Sequence, residues 1–427
     1  MKTTVLIFAL CLIFSSCDLL KDKDTDPVYQ TQIAWDSGLY SNDNQSHSVD
    51  GDSVFFYERP PGYTTANIYA LTRLDADTGR LIWRSTVRFN WIVYCQPVAI
   101  GGYVYVFLRP NVILCFDRGT GERTAKVRVD IDNRNFEFMD FATVYQERLY
   151  LSLYKNNAKY FVRFNVNLID QSGDEAMQEI TPEILWEPET GGVVKSRPVI
   201  HNNVVYTGTY NPWFSAPIEL AGFDIDSGQR VFHVTFGGSE DTASYVGNTR
   251  YPEDIRFPEN GCRKNPIFIH NDILYYLSWS INAWNLNNGE RLYRHVVRNN
   301  LPTPELFTAD TLQAAYYKGN IHYTGNSGGD EYRNIRCINA ATGRLVWSAN
   351  PKGTTTLETN PIIAHGKLFV SEGGGLCVFK PETGKLLGVD KSFCGAGMGR
   401  NVLYNDYMIC VREDDDGGRL VAVDVSK

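Results

Sequence analysis

The chain has 427 residues and a net charge of −8, and hydrophobic residues make up 43% of it. This apolar fraction is too high for a disordered protein, and the acidic balance provides no electrostatic footprint for binding nucleic acid. Aromatic residues make up 13% of the chain and there are 36 glycines, a composition that favours β structure with many tight turns.

The first seventeen residues have the pattern of an export signal. Lys2 precedes an apolar stretch from Thr3 to Phe14, which is shorter than the roughly 20 residues that a permanent membrane helix needs. Small residues then end on Cys17, as they do at the cleavage site of a bacterial lipoprotein. We predict a signal peptide over residues 1–16 and a lipid anchor on Cys17. The alternative is an ordinary signal peptide with an incidental cysteine.

The segment after Cys17 is polar, and we interpret residues 17–29 as a lipidated tether. Asp22, Asp24 and Asp26 are spaced like part of a calcium loop, but neither the glycine nor the distal glutamate of such a loop follows, which favours a solvated linker. Asp18 directly after the cysteine resembles an inner-membrane retention signal, whereas the acidic run resembles surface-export tethers. The choice of membrane and of its side therefore stays open.

One phrase recurs along the rest of the chain. It consists of an apolar run, an Asp or Asn, a Thr, Ser or Asn followed by Gly, and an aromatic residue four positions later. Each copy suits a strand, a turn in which glycine takes a positive φ, and a second strand. The repeated glycines are Gly79, Gly121, Gly228, Gly289, Gly343 and Gly384.

A matching pair of strands precedes each copy, most clearly over residues 97–106, so each unit contains four short antiparallel strands. Neighbouring glycines lie 42, 61, 54 and 41 residues apart where adjacent copies are clear. Length alone suggests two or three domains, but a repeat of this size is typical of a propeller blade. We predict one all-β domain over residues 30–427 with eight blades, over about 46–88, 93–128, 140–188, 196–235, 264–297, 313–349, 358–388 and 400–427.

Two blades depart from the pattern. In the third, a polar insertion from Leu168 to Thr181 replaces the turn before the last strand. The eighth lacks its outer strand, and the segment from Thr31 to Trp35 carries an aromatic residue where that strand needs one. We predict that this N-terminal segment completes the last blade, because closing the ring removes an open sheet edge.

The phrase Asp-x-x-Thr-Gly-x-x-x-Trp, repeated with Pro-Val-Ile…Val-Tyr-Val, resembles the repeat of the PQQ-like propeller family, which contains quinoprotein dehydrogenases and non-enzymatic relatives. Together with the lipoprotein signal, it resembles the non-enzymatic BamB-like lipoprotein branch. The resemblance implies a scaffold without a cofactor. Such a scaffold binds other envelope proteins, including barrel-assembly components, in a Gram-negative-type bacterium, and is lipid-anchored to the outer membrane on its periplasmic or outer surface.

Motifs for catalysis are weak in this sequence. The dehydrogenases of this family carry two adjacent cysteines beside the quinone and carboxylates that hold calcium, and this sequence contains no Cys-Cys pair. The letters of Gly325 to Gly329 match a nucleophile motif, but this stretch lies between two strands instead of between a strand and a helix. Cys115 and Cys337 lie in apolar β runs, where we expect them to be small buried residues. We therefore predict that the protein is not an enzyme.

Aromatic residues in loops on one propeller face form the first candidate binding surface, because loops on a rigid scaffold often carry function. The alternative is that Trp213 and Phe214 only cover a blade edge. The aromatic candidates are Trp91, Tyr210, Trp213, Phe214 and Tyr251.

A ring of polar residues just before the first strands forms the second candidate surface, at the mouth of the central channel. Two arginines in this ring suit an anion or a sugar, and the alternative is a water-filled channel end. The members are Gln96, Arg197, Asn265, Gln313, Asn360 and Arg400. Two functions follow from the sequence: a protein-binding envelope scaffold, or a surface lipoprotein that binds glycan or another small ligand.

Overall fold

The structure is a computed structural model, and it shows a ring of eight β-sheets. It describes residues 27, 29–40, 47–59, 68–90, 96–131, 136–155, 158–173, 176–189, 193–194, 196, 198–210, 218–236, 267–277, 280–296, 313–325, 334–349, 361–372, 375–393, 401–414 and 417–427. Within these residues every sheet is built on four antiparallel strands, which follow chain order except where the N-terminal strand joins the last sheet. Two of the sheets carry a fifth strand. The predicted eight-bladed all-β propeller is therefore confirmed.

The strands of the first four blades have the following bounds. Blade 1 contains β2 (His47–Asp50), β3 (Ser53–Glu58), β4 (Ala70–Asp75) and β5 (Leu81–Arg84). Blade 2 contains β6 (Val98–Ile100), β7 (Tyr103–Leu108), β8 (Val112–Asp117) and β9 (Arg123–Val129). Blade 3 contains β10 (Glu137–Tyr145), β11 (Arg148–Lys155), β12 (Ala158–Asn165) and β14 (Glu183–Trp186). Blade 4 contains β16 (Val199–His201), β17 (Val204–Tyr210), β18 (Ile218–Asp224) and β19 (Arg230–Phe236), and β15 (Val193–Val194) pairs with the end of β17.

The other four blades follow the same order. Blade 5 contains β20 (Ile267–His270), β21 (Ile273–Leu277), β22 (Ser280–Asn285) and β23 (Arg291–Val296). Blade 6 contains β24 (Gln313–Tyr317), β25 (Asn320–Gly325), β26 (Asn334–Asn339) and β27 (Leu345–Ala349). Blade 7 contains β28 (Ile362–Ala364), β29 (Lys367–Glu372), β30 (Gly375–Lys380) and β31 (Lys385–Asp390). Blade 8 contains β32 (Val402–Tyr404), β33 (Tyr407–Asp414), β34 (Gly417–Asp424) and β1 (Gln32–Tyr40).

The hydrophobic core lies between blades. Between blades 1 and 2, for example, Phe55, Tyr57 and Trp83 pack against Val104 and Phe116. Both faces of a blade are covered by its neighbours, so the middle strands are buried on both sides and read as continuous apolar runs. All six residues of β3 are buried for this reason.

The Thr-Gly turns form as the sequence predicts. In blade 1 the Asp75 carboxylate accepts hydrogen bonds from the backbone N–H and the hydroxyl of Thr78, at 2.9 and 2.6 Å. These bonds lower the pKa of Asp75, against a smaller opposing effect of burial. Gly79 then takes a φ of +68°, which glycine adopts without strain. The Asp, the Thr and the Gly of this copy therefore each have a local structural role.

The N-terminal strand closes the ring, as predicted. β1 pairs antiparallel with β34, for example Ile33 with Val423 and Trp35 with Ala422. Trp35 also reaches blade 1, where its indole Nε1 donates a hydrogen bond to the Ala76 carbonyl at 3.0 Å. The last blade thus contains the first and last strands of the propeller and has no missing outer strand.

Residues just before β1 bind blade 7. The Val389 N–H donates to the Pro27 carbonyl at 2.9 Å, and the Tyr29 N–H donates to the Val389 carbonyl at 3.1 Å, which is the pattern of a parallel pair. A Cβ atom at Gly388 would lie only 2.8 Å from the Pro27 oxygen, so this approach needs a glycine. Residues 27–40 therefore contact blades 7, 8 and 1 in succession, and the end of the predicted tether is part of the folded ring.

Blade 2 has a fifth strand that the sequence did not predict. The polar insertion contains β13 (Met177–Ile180), which pairs in parallel with β9 from Met177 opposite Lys126 to Ile180 opposite Val129. Ile180 is 8% exposed and packs into the core between blades 2 and 3. The insertion of blade 3 therefore covers the outer edge of blade 2.

Candidate functional site

On the face of the Thr-Gly turns, neighbouring blades are joined by hydrogen bonds to a backbone carbonyl of the turn. At three junctions the outer-strand tryptophan of one blade donates to the carbonyl of the second residue in the Thr-Gly turn of the next blade. Trp83 donates to the Arg118 carbonyl at 2.9 Å, and Trp347 donates to the Pro381 carbonyl at 2.8 Å. With Trp35 and Ala76, these pairs connect blades 1 and 2, 6 and 7, and 8 and 1.

An arginine does the same at the junction of blades 3 and 4. Arg163 donates from Nη1 to the Ile225 carbonyl at 2.5 Å, and its Nε and Nη2 bind the two oxygens of Glu183 at 2.7 and 3.0 Å. The indole nitrogen of Trp186 is buried and has no hydrogen-bond partner among the described residues. Arg73, at the same position of blade 1, also donates to the Arg118 carbonyl, at 2.9 Å, so the third-strand arginine acts beside a tryptophan at one junction and without its hydrogen bond at the other.

Histidines and carboxylates also pair between neighbouring blades. His201 donates from Nε2 to Asp272 at 2.6 Å, and His365 donates from Nε2 to Asp406 at 2.8 Å. The hydrogen bond from His201 is the main cause of a lowered pKa at Asp272. Each pair connects the first turns of two adjacent blades, so these acid–base groups serve the packing of the ring.

Two buried glutamates have internal partners as well. Glu58 is 1% exposed and accepts hydrogen bonds from Thr72 at 2.8 Å and from Arg84 Nε at 2.6 Å. Glu219 is equally buried and pairs with His233 Nε2 at 3.1 Å. Buried carboxylates that are paired in this way are satisfied inside the fold and are not exposed to a substrate.

The predicted buried cysteines are confirmed. Cys115 and Cys337 are free thiols with no exposed surface, and burial raises the pKa of each to about 12. Cys377 and Cys410 are buried free thiols too. Because the thiolate is the reactive form of cysteine, these four residues are packing groups.

Of the predicted binding residues, Gln96 has a described side chain. It is 6% exposed and lies directly before the first strand of blade 2. Tyr210 lies in β17, where its backbone pairs with Val193, and Gln313 lies in β24 opposite Thr324. The other predicted site residues lie outside the described residues: Cys17, Trp91, Arg197, Trp213, Phe214, Tyr251, Asn265, Asn360 and Arg400.

The positions of the polar ring can be compared by counting residues from each ring member to the turn between the first and second strands of its blade. Gln96 stands five residues before the turn at Gly101, and Arg197 stands five residues before the turn at Asn202. The same count holds for Gln313, Asn360 and Arg400, whereas Asn265 stands six residues before the turn at Asn271. Five of the six predicted ring members therefore share one register, and Asn265 is displaced by one residue.

Buried polar residues that the sequence analysis missed adjoin this ring. Next to position 197, the Ser196 hydroxyl accepts from the Gly208 N–H at 2.7 Å and lies 3.0 Å from the Thr207 hydroxyl. Next to position 400, the Asn401 amide donates to the Ser371 hydroxyl at 3.3 Å. Their one sequence signal is adjacency to the predicted ring. They form two separate hydrogen-bonded groups, at the starts of the first strands of blades 4 and 8.

The described residues do not fit the quinone and calcium of the dehydrogenases. Within the described ranges, no group of three or more His, Cys, Asp or Glu side chains is arranged to hold a metal ion. The adjacent cysteine pair that the resemblance implies is missing from the sequence. In the part of the chain that the structure describes, no helix has the length and apolar character needed to cross a membrane.

The sequence profile of the family described as outer membrane protein assembly factor BamB matches residues 66–166 and 273–427, more than half of the chain. No curated protein matches the sequence.

Solved structures share the fold at low sequence identity. BamB from Moraxella catarrhalis is similar over 90% of this chain and 95% of its own, with 11% identity and a TM-score of 0.56. A europium-containing methanol dehydrogenase is similar over 91% of this chain and 85% of its own, with 11% identity and a TM-score of 0.62. The computationally designed protein Ika8 is similar over 91% of this chain and 99% of its own, with 10% identity and a TM-score of 0.58. One fold thus occurs in an assembly factor, an enzyme and a designed protein, and it does not by itself define a function.

Proposed function

Because the chain belongs to the family of the outer membrane protein assembly factor BamB, we propose that it is a non-catalytic lipoprotein scaffold. It is anchored through Cys17 to the outer membrane of a Gram-negative-type cell envelope. Its partners are other envelope proteins, including components that assemble outer membrane proteins. The family match carries this proposal, since the fold is shared with dehydrogenases.

The use of the polar side chains supports a scaffold. Histidines and carboxylates that are common acid–base groups in enzymes bind each other across blade junctions, as in His201 with Asp272. Others, such as Glu58, are neutralised inside a blade by Arg84. A rigid ring held by such contacts is suited to present loops to a protein partner.

Affinity purification from membranes tests the scaffold. We expect the tagged chain to retrieve barrel-assembly components, and we expect the double variant Trp213→Ala and Phe214→Ala to lose them, because aromatic residues dominate binding energy at protein interfaces. Val231→Ala is the control, since Val231 is 58% exposed on an outer strand away from these loops. Loss of partners in the control, or retention in the double variant, would contradict this binding face.

The lipid anchor has its own test. Mass spectrometry of the mature N-terminus should find acyl chains on Cys17, and Cys17→Ser should release the protein from the membrane fraction. Fractionation followed by protease treatment of intact cells then separates a periplasmic from a surface location. A wild-type chain that is soluble after cell breakage would refute the anchor.

Binding of a small polar ligand is the alternative function, and the register shared by positions 96, 197, 313, 360 and 400 favours it. Arginine and amide side chains placed around a channel mouth suit the hydroxyl groups of a glycan. Calorimetry with envelope glycans should then give binding that Arg197→Gln weakens, with Arg230→Gln on an outer strand as control. Quinone uptake with dye reduction by an alcohol or sugar would instead establish a dehydrogenase.

A further inference from the structure

The rim of the propeller at blades 6 and 7 combines exposed aliphatic and basic side chains. Leu345 and Val346 begin the outer strand of blade 6 and are 52% and 48% exposed. The hydrogen bond from Trp347 to the Pro381 carbonyl places them beside the Thr-Gly turn of blade 7. We define the 6/7 rim as Lys318, Arg344, Leu345, Val346, Lys380 and Lys385.

The 6/7 rim is positive although the protein is acidic. Its four cationic residues face one acid, Glu382, so the net charge is +3 in a chain of −8. Lys318 Nζ lies 3.2 Å from Glu382 Oε1 and neutralises that acid. Lys380, Lys385 and Arg344 are exposed. A surface of this kind attracts anions and offers aliphatic side chains beside them.

The junction of blades 1 and 2 is a matched surface in the same molecule. Leu81 and Ile82 are 44% and 39% exposed, and Trp83 binds the Arg118 carbonyl as Trp347 binds that of Pro381. Three basic residues there balance three acidic ones over segments 52, 80–82 and 117–123, so the net charge is zero. Geometry and apolar exposure are alike, and the charge differs.

The N-terminal segment enters the fold beside the 6/7 rim. Pro27 and Tyr29 bind Val389, which lies four residues from Lys385 on β31, or about 13 Å at the usual rise of a strand. Because this pairing is parallel, the chain runs from Pro27 to Tyr29 in the same direction as β31 runs from Lys385 to Val389. Cys17 stands ten residues before Pro27, so an extended tether reaches at most about 35 Å.

We propose that the 6/7 rim docks on an anionic lipid surface, so that the propeller stands edge-on to the membrane with blades 6 and 7 towards it. Leu345 and Val346 enter the headgroup region, and Arg344, Lys380 and Lys385 contact lipid phosphates. The proposal rests on the lipid anchor of the proposed function for its place in the cell. The opposite face of the propeller, which carries the loops between blades, stays free for a protein partner.

The first test measures the acylated full chain. Hydrogen exchange is compared between nanodiscs that contain phosphatidylglycerol and nanodiscs of phosphatidylcholine alone. Exchange over residues 344–349 and 380–386 should slow in the anionic discs, while residues 80–86 and 117–123 exchange at the same rate in both. Equal protection at the two junctions, or protection at blades 1 and 2 alone, would overturn the proposal.

The second test separates the rim from the anchor. In the full chain with Cys17→Ser, Lys380→Gln with Lys385→Gln should reduce binding to phosphatidylglycerol vesicles about thirtyfold, at about 1 kcal/mol per charge. The matched pair Arg80→Gln with Arg123→Gln should leave binding unchanged, and both share the same N-terminal residues. If the Lys380 and Lys385 variant binds the vesicles as well as the unsubstituted rim does, the 6/7 rim does not dock on lipid. The same result is expected if the acidic tether, and not lipid, occupies the 6/7 rim. An unacylated wild-type chain refutes the anchor instead, and this vesicle comparison still decides the rim.

Discussion

The junction of blades 6 and 7 and the junction of blades 3 and 4 both bind a carbonyl of the neighbouring Thr-Gly turn, but they use different side chains. At the first, the Trp347 ring lies over Gly384 and its N–H binds the Pro381 carbonyl. At the second, Arg163 binds the equivalent Ile225 carbonyl and lies near Gly228, with Glu183 holding it in place. The shared feature is a donor to the carbonyl and close contact with the turn glycine, whichever side chain provides them.

The difference between the two junctions concerns the kind of interaction that connects the blades. The partly buried Trp347 joins blades through apolar area and one neutral hydrogen bond, which salt does not screen. Arg163 joins them through its hydrogen bond to the Ile225 carbonyl, and an ion pair within blade 3 holds it there. The Glu183 side chain of this pair is 54% exposed, so the pair is sensitive to ionic strength. The two junctions should thus respond differently to the same perturbations.

The largest effect is expected from Gly384→Ala. A Cβ atom there would lie 2.5 Å from the Trp347 ring, in a residue with a φ of +69°, so the free energy of unfolding should fall by about 3 kcal/mol. Gly289→Ala is the control, because its φ is +71° and no described atom lies within 4 Å of the added Cβ. It should cost about 1 kcal/mol in urea unfolding. Equal losses would mean that backbone strain alone, and not the tryptophan contact, requires glycine.

The next effect is expected from Arg163→Leu. Because Arg148 also donates to the Ile225 carbonyl, at 2.7 Å, the loss comes mainly from the pair with Glu183. We expect about 2 kcal/mol, reduced from the cost of breaking a fully buried pair because Glu183 is half exposed. The loss should shrink in high salt, and Arg163→Lys should restore only part of it. Full rescue by lysine would show that the two-pronged hydrogen bonding is unimportant.

A smaller effect is expected from Trp347→Phe, which keeps a ring over Gly384 and removes the donor. His322 Nε2 also binds the Pro381 carbonyl, at 2.8 Å, so the carbonyl stays satisfied and the cost should be about 1 kcal/mol without salt dependence. In Trp35→Phe the loss should be larger, since Trp35 is the one described side-chain donor to the Ala76 carbonyl. Thermal unfolding of both variants at two salt concentrations decides this order.

The smallest effect is expected from acid at the N-terminal closure. Burial raises the pKa of Asp390, but hydrogen bonds from Ser392 and Thr31 outweigh it, so the pKa lies below its usual value of 3.8. A carboxyl whose pKa is lowered by folding stabilises the protein fully above the unfolded value. That stability is lost as the pH falls through the folded value. Protease cleavage near residue 27 should therefore rise below about pH 4. In Asp390→Asn this acid-dependent component should vanish.

Local interactions explain how much of the fold was predictable. In four of the turns the side chain of an Asp or Asn binds the backbone three positions on, as Asn339 binds the Thr342 N–H at 2.9 Å. Such contacts leave a repeated signal, which predicted the turns and the eight blades, and the missing outer strand of the last repeat predicted the closing strand. The register of Gln96 was equally local. Contacts between distant segments leave no such signal.

The sequence by itself determined the ring of eight blades and the place of its turns, because these depend on residues that are neighbours in the chain. It also determined the origin of the last strand, because the final repeat lacks an outer strand and Trp35 supplies the missing aromatic residue. Only the tertiary structure decided that β13 pairs with β9, about 50 residues away, and that Arg163 binds the Ile225 carbonyl of the next blade. It also decided that Pro27 meets Val389 beside Lys385. These contacts depend on which blade edges lie close to one another once the ring has formed. The local secondary-structure propensity of the sequence does not determine the distance between such edges.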